Sequence, residues 1–343
     1  MSSFQRRSRS RRLLLLFGGL GAFLFHATIF VSMLVGSAPG SLRLRLRTRV
    51  QPFKGSGRWE EVYFFKEIPP GETAIVICDM WDKHWCKGAT ERVDALAHRM
   101  SPLLKLARAR GVQIVHAPSD VMDFYKDYPQ RRLMQSLPKV QPPQALDLSD
   151  PPLPIDDSDG GCDTPGDKEH KAWSRQNPAI DIEPQDVISD DGNEVYSFFQ
   201  ERGIKYLFIM GVHTNMCVLG RSFAIRQMTR WGIMCILIRD LTDAMYNPAM
   251  KPYVSHEQGT HLVIEHIEKY WCPSMLSADL KTALTPSGLE RDIGRESLPD
   301  HGQSQSNSSP LPFPVGLNPL PSGALGQVSQ QTARHTRGGA RWQ

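Results

Sequence analysis

The sequence lacks the marks of several common functional classes. Its net charge is only +4 over 343 residues, and the middle of the chain has no basic stripe with interleaved aromatics, so nucleic-acid binding is not expected. The six cysteines include no Cys-x-x-Cys pair of the kind that binds zinc. No Gly-x-Gly-x-x-Gly follows the first predicted strand, so a dinucleotide site is not expected either. A small molecule is the expected partner, and a homo-oligomer is left open.

The N-terminal segment has the pattern of a targeting sequence. Several arginines between Arg6 and Arg12 precede an apolar run from Leu13 to Val35, and Gly36-Ser-Ala38 resembles a cleavage site. An apolar run of about 20 residues also spans a bilayer if it is not cleaved. We therefore expect residues 1–38 to be a signal peptide or a membrane anchor. The chain is expected to be exported, either periplasmic or membrane-anchored with its domain outside the cytoplasm, and to meet the membrane only here.

Two further segments flank the central part of the chain. Ser41–Val50 alternates apolar and basic residues, and Trp59–Lys66 contains Val-Tyr-Phe-Phe, so residues 39–70 are predicted to form an antiparallel β flap beside the main sheet. The alternating arginines would form a solvated face or would contact anionic lipid or cell wall. Residues 287–343 are rich in Ser, Gln, Pro and Gly and are predicted to be a disordered tail.

Residues 71–286 alternate apolar strands with helical patterns, which indicates a mostly parallel sheet covered on both faces. The fold class predicted is therefore α/β, a three-layer Rossmann-like sandwich. Pro102 predicts a break or kink in the first helix. The predicted strands are Thr73–Asp79, Val112–His116, Asp186–Ile188, Tyr206–Met210 and Met234–Arg239, and the predicted helices are Thr90–Arg110, Glu194–Arg202, Val218–Met228 and Ser255–Tyr270.

A long irregular segment, residues 117–182, separates the second predicted strand from the third. It is rich in Pro, Asp and Gly, and loops of this length in a compact domain are usually functional or disordered. It leaves the carboxyl end of a strand, where ligands bind in parallel sheets. We therefore expect it to be a lid that shapes a substrate pocket.

The most informative stretch is Gly211-Val-His-Thr-Asn-Met-Cys217, a turn between a buried strand and a predicted helix. A cysteine here lies at the positive end of the helix dipole, which is expected to lower the thiol pKa and favour the nucleophilic thiolate. Asp79 ends another predicted strand. Both residues should therefore face one crevice at the carboxyl edge of the sheet.

These two motifs resemble those of the isochorismatase-like cysteine hydrolases, which include nicotinamidases and N-carbamoylsarcosine amidases. The resemblance covers roughly Thr73 to Tyr270 and consists of a strand ending in Asp, then an aromatic and a second Asp, with a later Gly-Val-x-Thr-Asn-x-Cys-Val turn. The segment Cys-Asp-Met-Trp-Asp-Lys-His-Trp-Cys, from Cys78 to Cys86, is similar to an uncharacterised exported branch of that group.

The resemblance implies a covalent mechanism on an amide or a related C–N bond. Cys217 would be the nucleophile and Asp79 the base, while the backbone N–H groups of His213 and Cys217 would form the oxyanion hole. A cis peptide between Val212 and His213 is expected as well. The substrate pocket is expected to include Trp81, Asp82, His84, Tyr125, Trp173, Arg175, Thr214 and Asn215.

One part of the family pattern is missing. The family has a lysine in the loop after the third strand, whereas residues 188–194 here read Ile-Ser-Asp-Asp-Gly-Asn-Glu. A carboxylate beside a thiolate needs a counter-charge, because otherwise the two repel and the thiol pKa rises. We expect Lys83, Lys168, Lys171 or Arg175 to supply it, and favour the three in the long loop.

Two other points stay open at this stage, the function of the chain and the role of His213. The chain is either a cysteine hydrolase or a non-catalytic member of the fold that binds a small molecule or a cell-envelope partner; ether hydrolysis, as in isochorismatases, is less expected because it does not need Cys217. His213 covers the substrate, helps to activate Cys217, or only packs on the following loop.

Neither a metal nor another cofactor is expected, although a divalent metal is left open. Metal-binding relatives carry an Asp-x-His cluster after the second strand, whereas this chain has only His116 and Asp120 there, with His84 as a further ligand to consider. Cys78 and Cys235 are predicted to be core thiols, and Cys217 must be free to attack. The cysteines that are able to pair are Cys86, Cys162 and Cys272.

Overall fold

The computed structural model describes residues 40–285, so the predicted signal or anchor segment and the whole of the predicted tail lie outside the described residues. Eight strands form one sheet in the order β2-β1-β8-β7-β6-β3-β4-β5. The strands are β1 (Leu42–Val50), β2 (Glu60–Ile68), β3 (Thr73–Cys78), β4 (Gln113–Ala117), β5 (Val187–Ile188), β6 (Tyr206–Val212), β7 (Met234–Asp243) and β8 (Ser274–Met275).

The sheet is mostly parallel, as predicted. Strands β3 to β8 pair in parallel with their neighbours, and β1 pairs antiparallel with both β2 and β8. The N-terminal strand pair therefore forms, but it extends the main sheet instead of lying apart from it. The alternation in β1 explains why, since Leu42, Leu44 and Leu46 are buried while Arg43 and Arg45 point outward.

Helices cover both faces of the sheet and complete the predicted three layers. The helices are α1 (Lys87–Ala109), α2 (Met122–Tyr125), α3 (Pro129–Ser136), α4 (Gly192–Arg202), α5 (Cys217–Gly220), α6 (Ile225–Arg230), α7 (His256–Tyr270) and α8 (Ser277–Leu284). In β3, Ala74 and Val76 face a core built with α4, α6 and α7, whereas Ile75 and Ile77 face a core built with α1 and α8.

Two local predictions need correction. Helix α1 continues through Pro102 without interruption; Pro102 and His98 both lie on its exposed side, where water can bind the carbonyl that proline leaves unpaired. The long segment 117–182 is not wholly irregular, because α2 and α3 lie in its first third.

The predicted helix after Cys217 is broken into two short ones. Helix α5 ends at Gly220, and Arg221 is extended, with φ −62° and ψ 154°. At this break Ser222 packs against the start of α4, where a Cβ on Gly192 would collide with the Ser222 carbonyl. The break turns the side chain of Arg221 away from a helix surface and toward the end of β3.

A disulfide joins Cys86 to Cys162 and ties the long loop to the start of α1. Cys78, Cys235 and Cys272 are buried free thiols, and Cys217 is also free. These positions agree with the predicted core thiols and with a free Cys217. Within residues 40–285, none of the helices combines the length and the apolar character needed to span a bilayer.

Candidate active site

Two neighbouring strand ends bring Asp79 and Cys217 together. Strands β3 and β6 are parallel, with Cys78 opposite Gly211. Gly211 has φ 123°, and a Cβ there would collide with the backbone of Cys78. The close approach of the two strands therefore requires glycine at 211, and it places Asp79 and the Cys217 turn at the same sheet edge.

The Asp79 side chain is fully buried and held by two hydrogen bonds. Its Oδ1 accepts the Ser119 N–H at 2.6 Å, and its Oδ2 accepts the Arg221 Nε–H at 3.0 Å. The Cys217 thiol is near enough to the same carboxylate for the two groups to shift each other's pKa. Asp79 also has φ 47°, a left-handed conformation that costs a non-glycine residue about 1–3 kcal/mol and is often found at functional sites.

Arg221 is the cation that pairs with Asp79. Its side chain is 30% exposed, and its Nη2 bonds the Asp120 carboxylate at 3.1 Å while its Nε bonds Asp79. The counter-charge thus comes from outside the third predicted strand, as expected, but from a residue that we did not expect. The apolar spacing around Arg221 gives no signal for it, because that spacing indicates a continuous helix.

None of the four cations expected at this place pairs with Asp79 among the described residues. Lys171 donates to the Asp120 backbone carbonyl at 2.8 Å, so it lies beside the site without replacing Arg221. Arg175 is exposed and stacks over the Phe124 ring at 5.8 Å. Neither Lys83 nor Lys168 forms an ion pair among the described residues.

Burial sets the protonation of the pair. It raises the pKa of the Asp79 carboxyl, and the Arg221 guanidinium opposes that rise. Burial also raises the pKa of the Cys217 thiol, the negative charge of Asp79 raises it further, and Arg221 opposes both. The expected lowering by a helix dipole does not prevail, because α5 has only four residues. These effects favour the neutral, protonated form of the Cys217 thiol.

The turn before Cys217 brings backbone N–H groups near the nucleophile. The Val212–His213 peptide is cis, as the family resemblance implies. The His213 N–H opposes the rise in the Cys217 thiol pKa, and Cys217 is the first residue of α5, where an N–H has no partner within the helix. These are the two N–H groups predicted for the oxyanion hole.

Thr214 and Asn215 hold this turn in place. The Thr214 hydroxyl bonds that of Thr242 at 2.7 Å. The Asn215 side chain accepts the Met245 N–H at 2.8 Å and donates to Asp157 in the long loop at 2.7 Å. Both side chains are buried, so the structure gives them contacts that position the nucleophile.

An aromatic wall lies beside His213. The Trp81 and Trp173 rings stack with centroids 4.5 Å apart, and the His84 ring lies nearly parallel to Trp173 at 5.8 Å. The Trp81 Nε1–H donates to the Ser119 carbonyl at 3.0 Å, which links this wall to the segment that holds Asp79. Three of the predicted pocket residues are therefore in contact with one another.

Asp82 and Tyr125 fix the returning end of the long loop. The Asp82 carboxylate accepts the Ser174 N–H at 2.9 Å, and the Tyr125 hydroxyl accepts the Gln176 N–H at 2.8 Å. Burial raises the pKa of Tyr125 to about 12. These residues therefore hold Trp173 in its stacked position against Trp81.

Two neutral imidazoles stand next to the nucleophile. Burial lowers the pKa of His213 to about 3 and that of His84 to about 4. Their ring centroids are 5.0 Å apart, edge to face. The His213 Nε2 is buried and has no hydrogen-bond partner among the described residues, so its polar atom is available to a substrate.

The residues considered for a metal are engaged elsewhere. His116 is buried, with Nδ1 bonded to Gln176 at 2.9 Å and Nε2 bonded to Asp186 at 3.0 Å. The Asp120 carboxylate bonds Arg221. In residues 40–285, the one group of metal-ligating types with close donor atoms is Cys86, Cys162 and Asp163, and its two sulfurs are bonded to each other.

Comparison with known proteins gives a likeness to solved structures only. No protein-family model matches the chain, and no curated protein matches it. A cysteine hydrolase from Pseudomonas syringae pv. phaseolicola is 18% identical with a TM-score of 0.41, and the match covers 63% of this chain and 94% of that one. An isochorismatase family protein from Burkholderia thailandensis is 17% identical with a TM-score of 0.36, covering 62% and 96%.

A third match is an isochorismatase-like hydrolase from Alkaliphilus metalliredigens, which is 15% identical with a TM-score of 0.36 and covers 63% of this chain and 98% of that one. The solved structures that this chain is similar to are isochorismatase-family and cysteine hydrolase proteins, and the likeness is one of fold.

Proposed function

We propose that this protein is a cysteine hydrolase that cleaves an amide or related C–N bond of a small molecule, with Cys217, Asp79 and Arg221 as its reacting centre. One observation carries this proposal. A free thiol, a buried carboxylate and a cation meet at the ends of two adjacent parallel strands, beside a buried unpaired imidazole nitrogen.

In the acylation step, the Cys217 sulfur attacks the substrate carbonyl carbon while the thiol proton moves to the Asp79 carboxylate. The carbonyl oxygen becomes an oxyanion that accepts hydrogen bonds from the His213 and Cys217 N–H groups. The C–N bond then breaks, and Asp79 returns its proton to the leaving nitrogen. The products are a thioester on Cys217 and a free amine or ammonia.

Water releases the acid in the second step. Asp79, again a carboxylate, takes a proton from a water molecule whose oxygen attacks the thioester carbon. The S–C bond breaks, the sulfur takes the proton back, and the carboxylic acid leaves. The raised pKa of Asp79 suits a group that must accept and release a proton in each cycle.

Arg221 keeps Asp79 ionised in its buried position. A guanidinium has several donors in a fixed fork, so it can bond Asp79 and Asp120 together, which the point charge of a lysine does less well. Removing it would leave a buried carboxylate without a counter-charge, which is strongly unfavourable. Arg221 therefore acts on the reaction through Asp79.

The test uses the full chain and a panel of small primary amides and ureido compounds. Ammonia release and the mass of the intact protein are measured after rapid acid quenching. We expect turnover of at least one compound, with a mass increase equal to its acyl group that is absent in Cys217→Ser. Cys235→Ser, a change at another free thiol, serves as the control and should retain turnover.

The alternative function gives a different result. If compounds bind, as shown by an increase in the melting temperature, but neither ammonia nor an acyl adduct forms, the chain is a non-catalytic binder. We also propose that it acts outside the cytoplasm. The Cys86–Cys162 disulfide supports this, because such bonds persist mainly in oxidising compartments.

A further inference from the structure

A cavity of about 200 Å³ lies where the N-terminal strand pair joins the rest of the sheet. It is formed by β1, β7, α7 and the residues that follow β8. None of its lining residues belongs to the site around Cys217. Its main lining residues are Arg47, Arg49, Arg239, His261, Glu265 and Leu276.

A buried carboxylate fixes two of these arginines. The Glu268 side chain is fully buried and accepts the Arg47 Nε–H at 2.8 Å and the Arg49 Nε–H at 3.2 Å. The Ser274 hydroxyl donates to the same carboxylate. Because Glu268 holds both guanidinium groups by their Nε atoms, their positions at the cavity are set in advance.

The third arginine has no such partner. The Arg239 Nη1 donates to the Ser274 hydroxyl at 3.2 Å, and no carboxylate within residues 40–285 comes within ion-pair distance of it. Arg239 is half-buried, and both burial and the charge of Arg47 lower its pKa. A bound anion would stabilise the positive charge of Arg239 and so oppose both effects on its pKa.

The acidic groups at the cavity are already engaged. The Asp240 carboxylate accepts the Ser277 N–H at 2.7 Å and bonds Arg99 at 3.3 Å. Glu265 pairs with Arg49 and with Lys269, each at 3.3 Å. They therefore leave the free donors of Arg239 unoccupied.

A larger cavity of about 420 Å³ adjoins the first and shares Arg239, Asp240 and His261 with it. The combined space is open at the surface and large enough for a small metabolite. We propose that it is a binding site for a small oxyanion, a phosphate or carboxylate group held mainly by Arg239 with Arg47 and His261 beside it. This site is independent of the proposed hydrolase activity.

The test measures anion binding to the full chain by calorimetry and by melting temperature, at constant ionic strength in chloride. Inorganic phosphate and citrate are the two probes, and they separate a phosphate site from a carboxylate site. We expect at least one to bind, and Arg239→Gln to weaken it by about tenfold, the effect of losing a charge-assisted hydrogen bond. Arg239→Lys should restore part of the affinity.

Arg58→Gln is the matched control, because Arg58 lies in the connection between β1 and β2, is largely exposed and pairs with Glu60 away from the cavity. It should bind the probe as the unmodified chain does. Binding of neither probe, or equal binding by Arg239→Gln, would overturn the proposal and leave the arginines a purely structural role. Hydrolase turnover, measured separately, should be the same in all these variants.

Discussion

Two buried aspartates of this protein bond an arginine, and they do so in different surroundings. Asp186 bonds Arg108 at 2.6 Å and Asp79 bonds Arg221 at 3.0 Å. Both carboxylate side chains are fully inaccessible to solvent. The two pairs thus share their chemistry and their burial, and they differ in what else each member touches.

The Asp186 pair is closed. Its carboxylate also accepts hydrogen bonds from the His116 ring at 3.0 Å and from the Glu183 N–H at 2.8 Å, and Arg108 is only 7% exposed. These partners lower the pKa of Asp186 in spite of its burial. The Asp186 carboxylate is thus fully paired and has no thiol beside it, so we expect this pair to serve the stability of the fold.

The Asp79 pair is open. The Asp79 carboxylate lies beside the Cys217 thiol, and its pKa is raised. Arg221 bonds two carboxylates, those of Asp79 and Asp120, and is 30% exposed. An aspartate–arginine pair therefore serves stability at Asp186, where further donors complete the network. The same type of pair is suited to proton transfer at Asp79, where a reactive thiol and solvent take the place of further donors.

The largest expected effect separates the two aspartates by activity. Asp79→Asn should lower turnover by about 10²- to 10⁴-fold, because general acid–base catalysis contributes on that scale. Asp186→Asn should leave turnover per folded molecule within about a factor of three, since Asp186 does not contact the site. The measurement is kcat on an amide found in the panel, with the folded fraction determined by circular dichroism. Comparable losses in both variants would refute the distinction.

The sequence predicts the strands that carry the site better than it predicts the partners of the site residues. The ends of two strands can be predicted because Thr73–Cys78 and Tyr206–Val212 are mostly apolar runs, and parallel pairing then brings Asp79 and Cys217 to one edge of the sheet. Arg221 was not predicted, because the apolar spacing around it indicates a continuous helix. The break comes from packing of Ser222 on α4, a tertiary contact that local periodicity does not encode.

His116 shows that a sequence pattern can also indicate a functional residue where the structure has a paired core residue. Its position after a buried strand indicated a remnant of a metal site, whereas the structure gives both of its nitrogens to Gln176 and Asp186. Those partners lie 60 and 70 residues further along the chain. Which histidine is a ligand and which is a satisfied core residue depends on such distant partners, which the sequence pattern around His116 does not contain.

The second prediction compares the two arginines by stability. Arg108→Gln should lower the free energy of unfolding by about 3 kcal/mol, because it leaves a buried carboxylate without its partner. Arg221→Gln should cost less, since Arg221 is more exposed and the Ser119 N–H still bonds Asp79. Urea denaturation at pH 7 measures both. An equal or larger loss for Arg221→Gln would mean that its pair is structural too.

A third prediction follows from the opposite pKa directions. The folded pKa of Asp186 lies below its unfolded value, so its stabilisation is present above about pH 4 and is lost as the pH falls through the folded pKa. The folded pKa of Asp79 is raised, so its ionisation costs stability as the pH rises from about 4 through the folded pKa.

The destabilisation by Asp186→Asn should therefore shrink between pH 6 and pH 3, by at most about 1.4 kcal/mol, because pH 3 lies about one unit below the unfolded pKa. Asp79→Asn should show no such decrease on acidification. Urea denaturation series at both pH values, with the unmodified chain in parallel, give the two differences. A pH-independent effect of Asp186→Asn would show that its carboxylate is not the group that titrates.

The smallest expected effect concerns thiol reactivity. Iodoacetamide should label Cys217 before Cys78, Cys235 and Cys272, because Cys217 is half-buried and the other three are buried. The advantage comes from access and not from a low pKa, so the rate should still be rising between pH 7 and pH 9. Arg221→Gln should slow labelling by up to about tenfold, the effect of raising the thiol pKa by about one unit when a close opposite charge is lost. Arg108→Gln is the matched control and should label at the unmodified rate. If Arg221→Gln labels as fast as Arg108→Gln, the guanidinium does not act on the thiol, and a neutral His213 would be the group to test next.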